Sequence, residues 1–293
     1  MFLKHVSAVC MGLVLSSSVL AQSHDNVNPA EAFSNTLSPG GPLLVLGGAL
    51  LDTRAGMITS TGTGGGGADS SSLQDTALGM NTFGIGVALA TGYRVADDFT
   101  VPASGWTLSD VTGYAYPTGS TTTSTLDHLN FRIWDGDPRA STSNVVFGDP
   151  TTNRFSTTGF TNIYREQLSA PGATNRPIMG ITASGLSINL PAGTYWLDYQ
   201  IGGTLGSGPW AVPLTTLGQT TTGNGLQFDP TGSVWNDAAD TGSSAVQGFP
   251  MTLGGSVNAV AGPARAVPAN STVFLLALLA GVLSLGLVIV RKN

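Results

Sequence analysis

Cysteine is almost missing. Its one occurrence, Cys10, lies in the first apolar stretch. The chain beyond residue 21 therefore has no disulfide, no thiol nucleophile and no thiolate metal ligand. A packed core must hold it together, and 293 residues suffice to build one. Lysine is nearly as scarce: Lys4 and Lys292 stand one at each end. A lysine Schiff base or a lysine cross-link in the region between them is excluded. Charge is thin overall, 10% of residues against about 25% in an ordinary globular chain. From Gln22 to Asn270, eight arginines oppose seventeen acids, a net charge of −9. Such a surface repels phosphate backbones, so nucleic acid is not a partner. Histidine is limited to His5, His24 and His128. A Ser-His-Asp triad or a zinc centre would have to be built on His128, and no GxSxG elbow accompanies it. Glutamate is limited to Glu31 and Glu166, a thin supply for glycoside hydrolysis by paired carboxylates.

What is present begins with two apolar ends. Residues 1–21 have a short basic start, an apolar core at 6–15 and small residues before Gln22. They read as a signal peptide cleaved between Ala21 and Gln22. Residues 271–290 (STVFLLALLAGVLSLGLVIV) carry no charge. As a helix they would span about 30 Å, one bilayer core. Arg291 and Lys292 follow at once and act as a membrane stop, holding the terminal tail 291–293 in the cytoplasm. The expected topology is single-pass, with the working domain outside.

Immediately before that helix stands Val267-Pro268-Ala269-Asn270. A short proline-containing motif, one apolar helix and a terminal basic cluster together resemble the C-terminal sorting signals of the PEP-CTERM and IPTL-CTERM type in Gram-negative bacteria. The resemblance implies a membrane sorting enzyme that cuts near the motif and releases the protein at the surface. The motif departs from both patterns: the first type has Val-Pro-Glu-Pro at this place, and the Ser-Glu-Trp of the second is missing.

Between the ends, glycine (40) and proline (16) are abundant. Both disfavour helix interiors and suit turns. Residues 22–39 read as a flexible polar segment, 40–256 as the folded domain and 257–270 as a linker that holds the sorting motif. Inside the domain, apolar and polar residues alternate over 93–101, 106–116, 126–134 and 193–201, the period of a strand. Shorter strand signals fall at 41–51, 144–147, 162–168, 185–190, 225–228 and 248–253. The glycine run at 62–67 reads as a flexible loop, and without a following Lys-Ser/Thr it is no phosphate loop. No helix of ordinary length is expected. The fold class is all-β, a two-sheet sandwich of jelly-roll type.

The segments GADSSSLQ, LGMNTFGIG, RVADDFTV, LNFRIWDGDP, NIYR, RPIM, LPAGTYWLDYQ and SGPW occur in this order. Over about residues 35–256 they resemble a domain of exported, surface-sorted bacterial proteins. The resemblance implies export and a β-sandwich, and it brings no catalytic residue with it.

Two candidate sites remain. Asp97, Asp98, Asp135 and Asp137 are oxygen ligands of the kind a structural calcium ion needs. The same aspartates also suit turn-capping, and no cofactor is required. Trp134, Trp210 and Trp235 lie in turns or on the face opposite the core pattern, where an indole can stack on a sugar. Trp106 and Trp196 read as core. The expectation is a non-catalytic envelope protein, structural or adhesive, at the cell surface or in an exopolysaccharide matrix. Its partners are the membrane, a sorting enzyme and a surface polysaccharide. A carbohydrate-binding module is the alternative, and a glycan hydrolase comes third.

Overall fold

The computed structural model describes residues 48–53 and 56–259. The leader with Ala21 and Gln22, the segment 22–39, the motif at 267–270, the stretch 271–290 and Arg291-Lys292 lie outside the described residues. Among the described residues, no helix is long and apolar enough to cross a membrane.

The strands are β1 (Ala49–Thr53), β2 (Asp69–Leu73), β3 (Ile85–Gly86), β4 (Arg94–Val101) and β5 (Trp106–Tyr116). There follow β6 (Leu126–Trp134), β7 (Val145–Gly148), β8 (Thr157–Gln167), β9 (Pro177–Ala183) and β10 (Ile188–Leu190). The last are β11 (Gly193–Gly203), β12 (Trp210–Ala211), β13 (Leu226–Asp229), β14 (Val234–Asp237) and β15 (Met251–Val257). One sheet has the order β1-β15-β5-β9-β8-β2, with β10 and β12 also on β5 and β3 on β12. The other has the order β14-β13-β4-β11-β6-β7. All pairs are antiparallel except β2 with β8. The architecture is an all-β sandwich.

Alternation explains how the sheets meet. Leu129, Phe131 and Ile133 on β6, Leu197, Tyr199 and Ile201 on β11, and Val95 and Phe99 on β4 point inward. They pack on Leu108 and Val111 of β5, Met179 and Ile181 of β9, and Met251 and Leu253 of β15. Each such side chain, once buried, contributes about 1.5–3 kcal/mol. The sheets approach closely at Gly113, where an added Cβ would lie 3.0 Å from the Tyr199 ring. A larger residue there would push the sheets apart.

Several expectations shift at the margins. The strand read at 162–168 starts at Thr157 and makes a long hairpin with β9. β9 itself went unread because its seven residues are all buried and show no alternation. Pro177 opens β9, a place where a strand tolerates proline. β2 (DSSSL) is polar yet wholly buried, because its hydroxyls bond one another and Glu166. β14 also went unread. The glycine run is no loose loop: it closes in a 3₁₀ turn at Gly65–Gly67 above Asp69, whose Oδ1 accepts the Gly62 N–H at 2.9 Å. The domain also runs beyond residue 256. β15 ends at Val257, and Asn258 donates to Gly105 O at 3.0 Å.

Candidate functional site

The outer face of the six-stranded sheet carries side chains that a simple alternation pattern would leave to solvent. Its register sets them in rows. Asp98 lies opposite Trp196, and Trp196 opposite Trp134. Leu226, Ala96, Asp198 and Arg132 form the next row. Trp235, Phe228 and Arg94 form the third, beside Gln200 and Asn130. Trp196, Ala96 and Leu226 are buried here as a small apolar cluster, with half-buried Trp134 and Trp235 packed against it. The Phe228 and Trp235 rings are 5.3 Å apart.

A polar centre adjoins this cluster. Asp198 is fully buried and accepts from Arg94 Nε (2.6 Å), Arg132 Nη2 (2.7 Å) and Trp134 Nε1 (3.1 Å). Arg94 also donates to Asn130 Oδ1 at 3.0 Å, while its buried Nη2 finds no partner among the described residues. Burial depresses the Arg94 pKa, and Asp198 works against that shift. The Arg132 guanidinium lies 4.9 Å above the Trp134 ring, a cation–π contact that fixes the indole plane. The face thus carries half-buried rings beside a closed ion-pair centre, of which Arg132 alone is partly exposed. On the strap between β6 and β7, Arg139 bonds Asp137 (2.7 Å) and reaches Asp237 of β14 at 2.8 Å.

Trp134, read on the face opposite the core pattern, and Trp235, read in a turn but placed on β14, pack against the same apolar cluster. Trp196 is buried as expected, but on this outer face and not between the sheets. Trp106 is in the main core. Trp210 is elsewhere, on β12 in the other sheet, beside Tyr93 and Gln227. Arg94, Arg132, Asp198, Gln200 and Asn130 were not singled out. Their signal was there: charged and amide residues inside otherwise apolar strands such as YWLDYQ need buried partners.

The four aspartates do not converge. Asp97 and Asp98 are neighbours on β4 and point to opposite faces. Asp97 Oδ2 accepts the Phe249 N–H at 2.6 Å. Asp135 Oδ1 accepts the Asn144 N–H at 2.6 Å, and Asp137 is paired with Arg139. No group of three or more His, Cys, Asp or Glu placed to hold a metal occurs among the described residues. His128 lies 3.4 Å from the Asn130 amide on the outer face. The other buried charges serve the fold. Arg165, fully buried, donates to Phe83 O, Ser71 Oγ and Thr215 Oγ1, and burial depresses its pKa to about 10. Glu166 accepts from Ser70 Oγ and from the Gly172 N–H.

The chain matches no protein-family model, no curated protein and no solved structure.

Proposed function

We propose that this chain is a non-catalytic, exported envelope protein whose sandwich adheres to polysaccharide through the outer face of its six-stranded sheet. The leader directs export. The helix at 271–290 holds the chain in the membrane until a sorting enzyme cuts near 267–270. The observation that carries the adhesive role is the set of half-exposed indoles, Trp134 and Trp235, beside the fixed Arg94–Asp198–Arg132 centre. Aromatic rings on a rigid sheet stack on sugars at little entropic cost. We also assign the sandwich to the jelly-roll type, a reading supported by the passage of β4, β5 and β6 from one sheet to the other and back.

A second reading has its own support. Apolar clusters under a long connection are often packing alone, and Arg139 ties the β6–β7 strap to β14. One experiment separates the two. The full chain in detergent is applied to a glycan array, with Trp134→Ala and Trp235→Ala beside it. Each substitution is expected to weaken retention about tenfold, ~1.4 kcal/mol. Retention unchanged in both, with a lowered melting temperature, would leave a structural brace and overturn the adhesive face.

A further inference from the structure

β13 separates two environments. Phe228 points to the aromatic face against Trp235, while its chain neighbour Gln227 points the other way. There it lines a cavity of about 360 Å³ together with Tyr93, Trp210, Thr91 and Gly208. The volume is at the lower end of small-ligand sites, about 300–1,000 Å³, room for about one sugar ring. Its walls are built with care. Gln227 is held by a 3.0 Å bond from Nε2 to Gly86 O. Tyr93 is fixed through its carbonyl, which accepts from Gln200 at 3.0 Å. Trp210 lies so close to Gly208 that a Cβ there would come within 2.9 Å of the indole, and Gly208 adopts φ +101°, a conformation that glycine tolerates best.

No lining residue carries a charge at neutral pH. A charged uronate or sulfated sugar would give up water here without gaining a counter-charge, and so binds more weakly. A neutral pyranose loses little: its C–H face meets Trp210 or Tyr93, and its hydroxyls meet the amide and the backbone. We propose that this cavity is a second sugar site, one that takes a single neutral pyranose such as a chain end. The inference rests on the adhesive reading above and deepens it. With two sites on opposite sides of one strand, a single domain grips two polysaccharide segments and cross-links them.

The test uses the full chain in detergent and saturation-transfer NMR. The probes are the methyl glycosides of glucose, galactose, mannose and N-acetylglucosamine, with methyl glucuronide as the charged comparison. At least one neutral glycoside is expected to bind saturably, with the glucuronide at least about tenfold weaker. Trp210→Ala is expected to weaken that binding about tenfold or more. Because the loss of an indole can disturb packing, Gly206→Phe provides a second variant. Gly206 borders the cavity, and its Cβ would meet nothing within 4 Å, so a ring at this rim position is tolerated by the fold and narrows the entrance. It is expected to block binding equally. Binding that persists in both variants, glucuronide bound as well as the neutral sugars, or no glycoside bound at all would overturn the proposal. Polymer retention on the Trp134 face is read separately. Retention without glycoside binding defeats the cavity alone, and glycoside binding without retention defeats the outer face and the cross-linking.

Discussion

Asp240 ties its own loop to the segment at 81–82. It is fully buried, and its carboxylate accepts the N–H groups of Asn81 (3.0 Å), Thr82 (2.7 Å), Gly242 (2.9 Å) and Ser243 (2.8 Å). Burial acts to raise its pKa, but these donors prevail and hold it below the ordinary 3.8. The stabilisation is therefore complete above pH 4 and is lost as pH falls through the lower, folded-state value. An amide offers one acceptor oxygen and turns its NH₂ toward donors. Asp240→Asn is expected to lose about 1–3 kcal/mol. In urea unfolding, its deficit is expected to be full at pH 7 and to shrink toward pH 2. A constant deficit would mean that the charge plays no part. Little of this was legible in the sequence. Asp240 reads as one more turn aspartate, because its partners at 81–82 lie far away in the chain. The same holds for Arg94 and Asp198, whose pairing depends on β4 and β11 being neighbours. Trp134 was easier to place: its position against the strand period set it on the face away from Phe131 and Ile133.

The long strands are where alternation speaks most clearly. β5 and β6 have the predicted bounds, and β4 and β11 come within two residues of theirs. Each has one face on the common core, which writes a period of two into the sequence. β9 and β2 lack that mark for opposite reasons. β9 is buried on both faces, with Met179 and Ile181 in the main core and Ile178 and Thr182 on the other side, and β2 is polar up to Leu73 because a hydroxyl network replaces its core contacts. The strap between β6 and β7 offers a test of its own. Arg139, Asp137 and Asp237 are well exposed, so their ion pairs contribute about 0–1 kcal/mol. Arg139→Ala is expected to leave the melting temperature nearly unchanged. Limited proteolysis is expected to cut within 135–144 several times faster, because the strap has lost its hold on β14. Equal cutting in both proteins would show that the strap is held by its own turns.

For the whole molecule, the sequence at the two ends carries the proposal for export and sorting, and the sandwich carries the proposal for adhesion. A permanent anchor asks only for a flexible tether before the membrane. A sorting enzyme reads an extended backbone, which Pro268 imposes on its neighbours. In cells with a sorting enzyme, the wild type is expected to accumulate as a form about 25 residues shorter, and Pro268→Ala to remain uncut in the membrane fraction. Mass spectrometry of the C-terminus decides it: an intact Asn293 in the wild type would leave a plain anchor. For the uncut, membrane-held form of the proposal, the position of β15 matters. It lies between β1 and β5, and the start of β1 pairs with its end, Ala49 with Gly255. On the proposed tethering, a pull from the cell side would travel along β15 while a bound polymer resisted through the rest of the domain. Both ladders would then take the load together in shear, as a glued lap joint does, and would not be peeled open one hydrogen bond at a time.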